Sequence, residues 1–151
     1  MLRVVPLLLL LPLAVVQAEV DDAQRLTAAA LAGRMGEVES LLARGVDVNA
    51  KSGAGRPALV LCAFQGNRKT LLALLAAGAD VNAVDGQGNS ALMEASARGH
   101  LWVIEELILA GADLNLKSAS GRTALDRAKL GNHLTVVERL QAAGAEEGGG
   151  D

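Results

Sequence analysis

Cysteine is almost missing from this chain: Cys62 is the only one in 151 residues. One thiol forms no internal bridge, so a small exported domain, which often relies on disulfides, would here have to hold itself by packing. No Asn-x-Ser/Thr triplet occurs, so no acceptor for an N-linked sugar exists. There is no basic run, and the formal net charge is −3. That argues against nucleic acid or an anionic membrane surface as the main partner. Histidine is limited to His100 and His133, and two imidazoles without cysteine or carboxylate at ligand spacing do not make a zinc site. Glycine is plentiful, with 17 residues. None of them, however, follows a strand pattern and opens a helix at the spacing of a phosphate-binding loop.

The N-terminus is unlike the rest. Met1-Leu2-Arg3 is a short positive start, Val4 to Val16 is an apolar run broken by Pro6 and Pro12, and Val16-Gln17-Ala18 places small or apolar residues around a cleavage position. This is the pattern of a secretory signal peptide. The apolar run is too short for a bilayer, which needs ~20 residues. Residues 1–18 are therefore expected to be removed, leaving a chain that starts at Glu19. That chain has lost Arg3 and carries a net charge of −4. The absence of disulfide and glycan signals favours a bacterial periplasm, with secretion as the alternative.

The glycines repeat. Gly45-Val46-Asp47-Val48-Asn49-Ala50 returns as Gly78-Ala79-Asp80-Val81-Asn82-Ala83, then as Gly111-Ala112-Asp113-Leu114-Asn115-Leu116, and Gly144-Ala145-Glu146 begins a further copy. The period is 33 residues without slip, and a fixed period in this range means a stacked repeat architecture. The units are about 19–51, 52–84, 85–117 and 118–145, followed by a glycine-rich tail at 146–151 that is expected to be flexible. In each unit two short helices are predicted. In the first they run over Gln24–Ala32, capped by Asp21 or Asp22, and over Met35–Ala43. The second helices carry apolar residues at i, i+3 and i+4: Val38, Leu41, Leu42; Leu71, Leu74, Leu75; Ile104, Leu107, Ile108. In the last unit Val137 and Leu140 are kept and Gln141 takes the third place, as suits a terminal repeat facing water. Pro57 suits the first helical turn of its unit, where Ser90 and Thr123 can cap theirs. Asn132 stands where other units have Gly, and Asn tolerates the left-handed conformation.

A unit of Gly-x-(Thr/Ser/Pro)-Ala-Leu, a short helix, Gly-His or a variant, a second helix and Gly-Ala-Asp-Val-Asn resembles an ankyrin repeat, and the resemblance covers residues 23–145. It implies an all-α solenoid of antiparallel helix pairs stacked side by side, with hairpin-like loops projecting to one side of a concave face. The family's Thr-Pro-Leu-His reads here as Pro57-Ala58-Leu59-Val60, Ser90-Ala91-Leu92-Met93 and Thr123-Ala124-Leu125-Asp126. The histidine that links units in the family is absent from all three, so those bonds must be replaced or lost. The loop Asp survives only as Asp85, with Ser52 and Ser118 in its place elsewhere.

For catalysis the candidates are Cys62, His100 and His133. Cys62 aligns with Ala29, Ala95 and Ala128, which reads as a small core position. His100 and His133 are equivalent turn residues one period apart. Neither pattern suggests an enzyme, and no cofactor or metal is expected. The resemblance implies instead a module, monomeric by itself, that binds another protein through its loop tips and concave face. Carried across, the tips are Lys51, Gly53 and Ala54, then Gly86 and Gln87, then Lys117, Ala119 and Ser120. Arg56, Asn89 and Arg122 follow the loop glycines. Along the first helices, Val60, Phe64 and Gln65, then Met93, Ala97 and Arg98, are expected to be exposed. This ridge is basic at both ends with a small apolar middle, so it suits a partner that presents carboxylates. Trp102 aligns with Gly36, Lys69 and Thr135 and is either an exposed interface anchor or a ring lying flat on the neighbouring helix. Two roles fit such a module: an inhibitor or immunity-type neutraliser of an envelope or toxin enzyme, or a scaffold that supports a partner.

Overall fold

The computed structural model describes residues 12–149. Met1-Leu2-Arg3 and most of the apolar run lie outside the described residues. Eight helices follow one another: α1 (Leu13–Ala32), α2 (Met35–Ala43), α3 (Ala58–Gln65), α4 (Arg68–Ala76), α5 (Ala91–Arg98), α6 (Leu101–Leu109), α7 (Ala124–Leu130) and α8 (Leu134–Ala142). Among the described residues no helix is long and apolar enough to cross a membrane. The all-α helix-pair architecture expected from the repeat is present, and the hairpin-like loops contribute only isolated bridges between Lys51 and Pro57 and between Val84 and Ser90.

The helices form two layers. Odd-numbered helices pack on odd, even-numbered on even, and each pair packs on itself. The core is periodic like the sequence. Leu26, Leu59, Leu92 and Leu125 are buried in the first helices, and Leu41, Leu74, Leu107 and Leu140 in the second. The third apolar position is half-buried at Leu42, Leu75 and Ile108, and open at Gln141. Ala29, Cys62, Ala95 and Ala128 are all buried between first helices. Small side chains there let helix axes approach, and the first helices pack on one another more extensively than the second helices do. The first-helix side, next to the loops, is taken as the inner face.

The first helix differs from its expected bounds. It begins at Leu13 rather than Gln24, with Pro12 as its N-cap residue at φ −61° and ψ 139°. Nothing between Leu13 and Ala32 is Gly or Pro, so no local signal stops the helix earlier. Asp21 and Asp22 consequently lie inside it and cap nothing. Asp22 instead receives Arg44 at 2.7 Å. The extension packs on little: Leu13, Val15, Val16 and Val20 are exposed, and the first fully buried side chain is Leu26. Most other local readings hold. Ser90 Oγ accepts from Met93 N at 3.3 Å, and Thr123 and Asp126 cap reciprocally. Pro57, read as part of the first helical turn, instead sits one place before α3 as its N-cap, with extended backbone at ψ 148°. Asn132 takes φ 56°.

Units are tied by two sets of polar bonds. In each Asp-x-Asn the Asp closes its own turn: Asp47, Asp80 and Asp113 accept from the backbone N of Asn49, Asn82 and Asn115. The Asn then reaches the next unit. Asn49, Asn82 and Asn115 Oδ1 accept from the backbone N of Asp80, Asp113 and Glu146, each at 2.8 Å. Beyond Ala145 the chain stays against the last unit: Thr123 Oγ1 donates to Glu146 O at 2.9 Å, and Gly148 N donates to Asp126 Oδ2 at 2.9 Å.

Candidate functional site

Three loops of one design stand side by side. In each, a backbone N–H reaches across the turn: Ser52 N to Arg56 O, Asp85 N to Asn89 O and Ser118 N to Arg122 O. Side chains fix the same turns by different chemistry. Asp85 Oδ1 accepts from Gln87 N and Asn89 N, both at 2.9 Å. Ser52 Oγ accepts from Arg56 N at 3.3 Å, and Ser118 pairs with the Ser120 hydroxyl at 2.9 Å. Burial pushes the Asp85 carboxyl up, but hydrogen bonds from Asn89 and Gln87 and the charge of Arg56 outweigh it and hold it below the usual range. The loops also touch, since Ala119 N donates to Gln87 O at 2.9 Å. Lys51, Gln87, Lys117 and Ser120 are exposed on these tips, and Arg56 and Arg122 are half-buried at their bases.

The residues with catalytic potential are engaged in the fold. Cys62 is fully buried, its Sγ 3.4 Å from Ala30 O, and burial pushes its thiol up to about 12. A thiol so protonated is not a nucleophile. His100 Nε2 lies 3.1 Å from Phe64 O, and His133 Nε2 lies 3.0 Å from Ala97 O. A carbonyl only accepts, so Nε2 carries the proton in both rings. Asn67, one period earlier, donates from Nδ2 to Ala30 O and Leu31 O. These three residues join each unit to its predecessor at the turns, while Val60 and Met93, in the column of the missing histidines, are buried apolar side chains. The fit is tight: Gly99 has φ 74°, and a Cβ there would stand 2.5 Å from His133 Nδ1.

Inner-face expectations divide. Gln65 and Arg98 are exposed and Phe64 and Ala97 half-buried, but Met93 is 1% exposed and Val60 0%. Their column, which also holds Thr27, lies between successive first helices and is covered by the following unit. Only in the last unit, where none follows, does it hold a half-exposed residue, Asp126. Asn89 is also buried, because its amide lies under neighbours: it donates to Asp85 and accepts from Arg127. Met93 and Asn89 therefore offer little to a partner.

What the repeat pattern did not reveal is a polar chain across the inner face. Arg127 donates to Glu94 at 3.1 Å, and the other Glu94 oxygen lies 3.9 Å from Arg56. In the repeat phase Glu94 and Arg127 share a column with Ala28 and Leu61, so no periodic signal marked them. Their one-period separation alone would have hinted at a pair of opposite sign. Beside them, Phe64 meets two guanidinium groups, with Arg98 3.7 Å and Arg56 5.0 Å from its ring centroid. A groove of about 500 Å³ runs alongside, lined by Leu31, Leu61, Ala28 and Ala54 and bordered by Arg56.

Trp102 is 71% exposed on the outer layer, with the Arg68 guanidinium 5.9 Å from its ring centroid. Most of the side chain is open to solvent, and it stands with exposed Leu109 one heptad along α6.

A family model described as ankyrin repeats (3 copies) matches residues 26–118 and 59–148. No curated protein matches the chain.

Proposed function

This chain belongs to the ankyrin repeat family, and we propose that it is an exported protein-binding module that grips its partner with the loop tips and inner face. The observation that carries the reading is how charge is distributed there. Among the described residues, no carboxylate pairs with Lys51, Arg98, Lys117 or Arg122. Of the acids on the same side, Asp85, Glu94 and Asp126 are bonded internally, and Asp80, which shares a cleft with Lys51, accepts from Asn82 N. A chain of net charge −3 thus turns unpaired cations toward one side of a rigid stack, where a partner of opposite sign would be steered and held.

Export rests on the leader pattern. The exposure of Leu13, Val15, Val16 and Val20 supports it, because cleavage after Ala18 would take away no core side chain. N-terminal sequencing of protein recovered from a periplasmic fraction tests it, and a chain still starting at Met1 overturns it. Projecting tips also favour the narrower reading, an inhibitor that enters the active site of an envelope or toxin enzyme; a captured enzyme that keeps full activity in the complex would select the scaffold instead.

The binding test uses Lys51→Glu with Arg122→Glu, chosen because neither residue is held by an internal ion pair. A partner captured from the envelope fraction by the wild-type chain is expected to be lost by this variant while the helical spectrum is unchanged. Equal capture overturns the assignment of the face.

A further inference from the structure

We propose that Arg98, stacked on Phe64, is a carboxylate-binding side chain, and that the inner face takes a partner segment in which an acidic residue stands next to an apolar one. The inference rests on the binding reading above and names the chemistry of the partner. Arg98 has a guanidinium 3.7 Å from the Phe64 ring centroid. A planar cation at that distance lies over the ring face, and the contact holds its plane without using its N–H donors. Those donors are free: Arg98 is exposed, and no carboxylate among the described residues pairs with it. A guanidinium held flat, with its donor edge open to solvent, matches the two oxygens of a carboxylate. Because Phe64 already restricts its rotamers, less entropy is lost when the bond forms.

The neighbours supply the second half of the motif. Arg56 lies 5.0 Å from the Phe64 ring centroid and also borders the groove between the first two units. Leu31 and Leu61 line that groove, which is more apolar than the polar cleft on the far side of Arg56 around Asp85, Gln87 and Glu94. Glu94 draws on Arg56 and Arg127 together, so the guanidinium left for an incoming anion is Arg98. Arg56 meets both the Phe64 ring and the groove, so a segment with its acid at Arg98 runs on past Arg56 toward the groove, where Leu31 is the exposed apolar side chain.

The test titrates the isotope-labelled chain with an acetylated and amidated Leu-Ala-Glu-Glu-Leu-Ala peptide and with its Gln-Gln counterpart. The Nε–Hε signal of Arg98, the Phe64 ring and the methyl groups of Leu31 and Leu61 are followed by NMR. The Glu peptide is expected to shift all of them, with the Gln peptide about tenfold weaker. Arg98→Gln should remove the difference between the peptides. Phe64→Leu, which keeps an apolar side chain and loses the stack, should reduce it. Equal affinity of the two peptides, no shift with the Glu peptide, or a preference that survives Arg98→Gln overturns the proposal. A partner that is still captured by Arg98→Gln but lost by the Lys51 and Arg122 double variant would overturn the arginine assignment alone and leave the binding-module reading intact.

Discussion

Asn67, His100 and His133 do one job with two kinds of side chain. Each sits at the same turn, and each donates to a carbonyl near the end of the preceding first helix. The exchange of amide for imidazole between units sets an expectation. His100→Asn should keep most of the stability, while His100→Ala should lose about 1–3 kcal/mol, because the Phe64 carbonyl is left without its donor. Urea unfolding of the two variants checks this, and equal losses would mean that the ring acts by packing rather than by its Nε2 proton. That these turn residues were structural was legible from their one-period spacing. Which atom they reach was not, since a linear pattern carries no direction for a side chain. Met93 and Asn89 show the same limit: position in the unit suggested exposure, and only the neighbour's covering side chains decide burial.

Helices and turns were legible wherever a local stop signal existed. α2 runs over Met35–Ala43 as its pattern predicts, because Gly33-Arg34 and Gly45 bracket it. α1 overran its expected start because no such signal lies between Pro12 and Gly33. At this scale the second-helix leucines set stability. Leu107 and Leu74 are fully buried between the layers, and Leu107→Ala is expected to cost about 2–5 kcal/mol, read as a lower denaturation midpoint. The turns set the acid response. Burial pushes the Asp126 carboxyl up, yet bonds from Thr123 and Gly148 and the nearby Lys129 prevail and lower it, as happens at Asp85. A lowered folded value means stability that is complete above the unfolded value of about 3.9 and is lost as pH falls through the folded one. The melting temperature should therefore drop on acidification below about pH 4. Asp85→Asn with Asp126→Asn should be less stable at neutral pH and show a shallower acid drop; an unaltered slope would show that these two carboxylates do not govern it.

Across the whole molecule, stability is a sum over neighbours rather than a property of one centre. The two ends are accordingly not alike. At the start, α1 extends past the stack with exposed apolar side chains. At the other end, Glu146 and Gly148 are bonded to the last unit, and Lys129 pairs with Glu147. A chain beginning at Glu19 is expected to melt at the same temperature as the longer chain, whereas one ending at Ala145 should melt lower, as scanning calorimetry would register. A fall in the first case would mean that residues before Glu19 belong to the fold. The solenoid and its period were readable in the glycines. The basic side of the molecule was readable only in outline, because which cations are left unpaired depends on contacts such as Glu94 with Arg127, made between units.

The asparagine bonds have one further consequence. Asn49, Asn82 and Asn115 each hand an acceptor forward and never back, so the seam between any two neighbours is stitched in the same sense. An in-frame tandem copy of residues 85–117 would find a matching stitch on both sides. The molecule is in this respect an open-ended ruler, and a longer sibling with a wider grasp lies one gene duplication away.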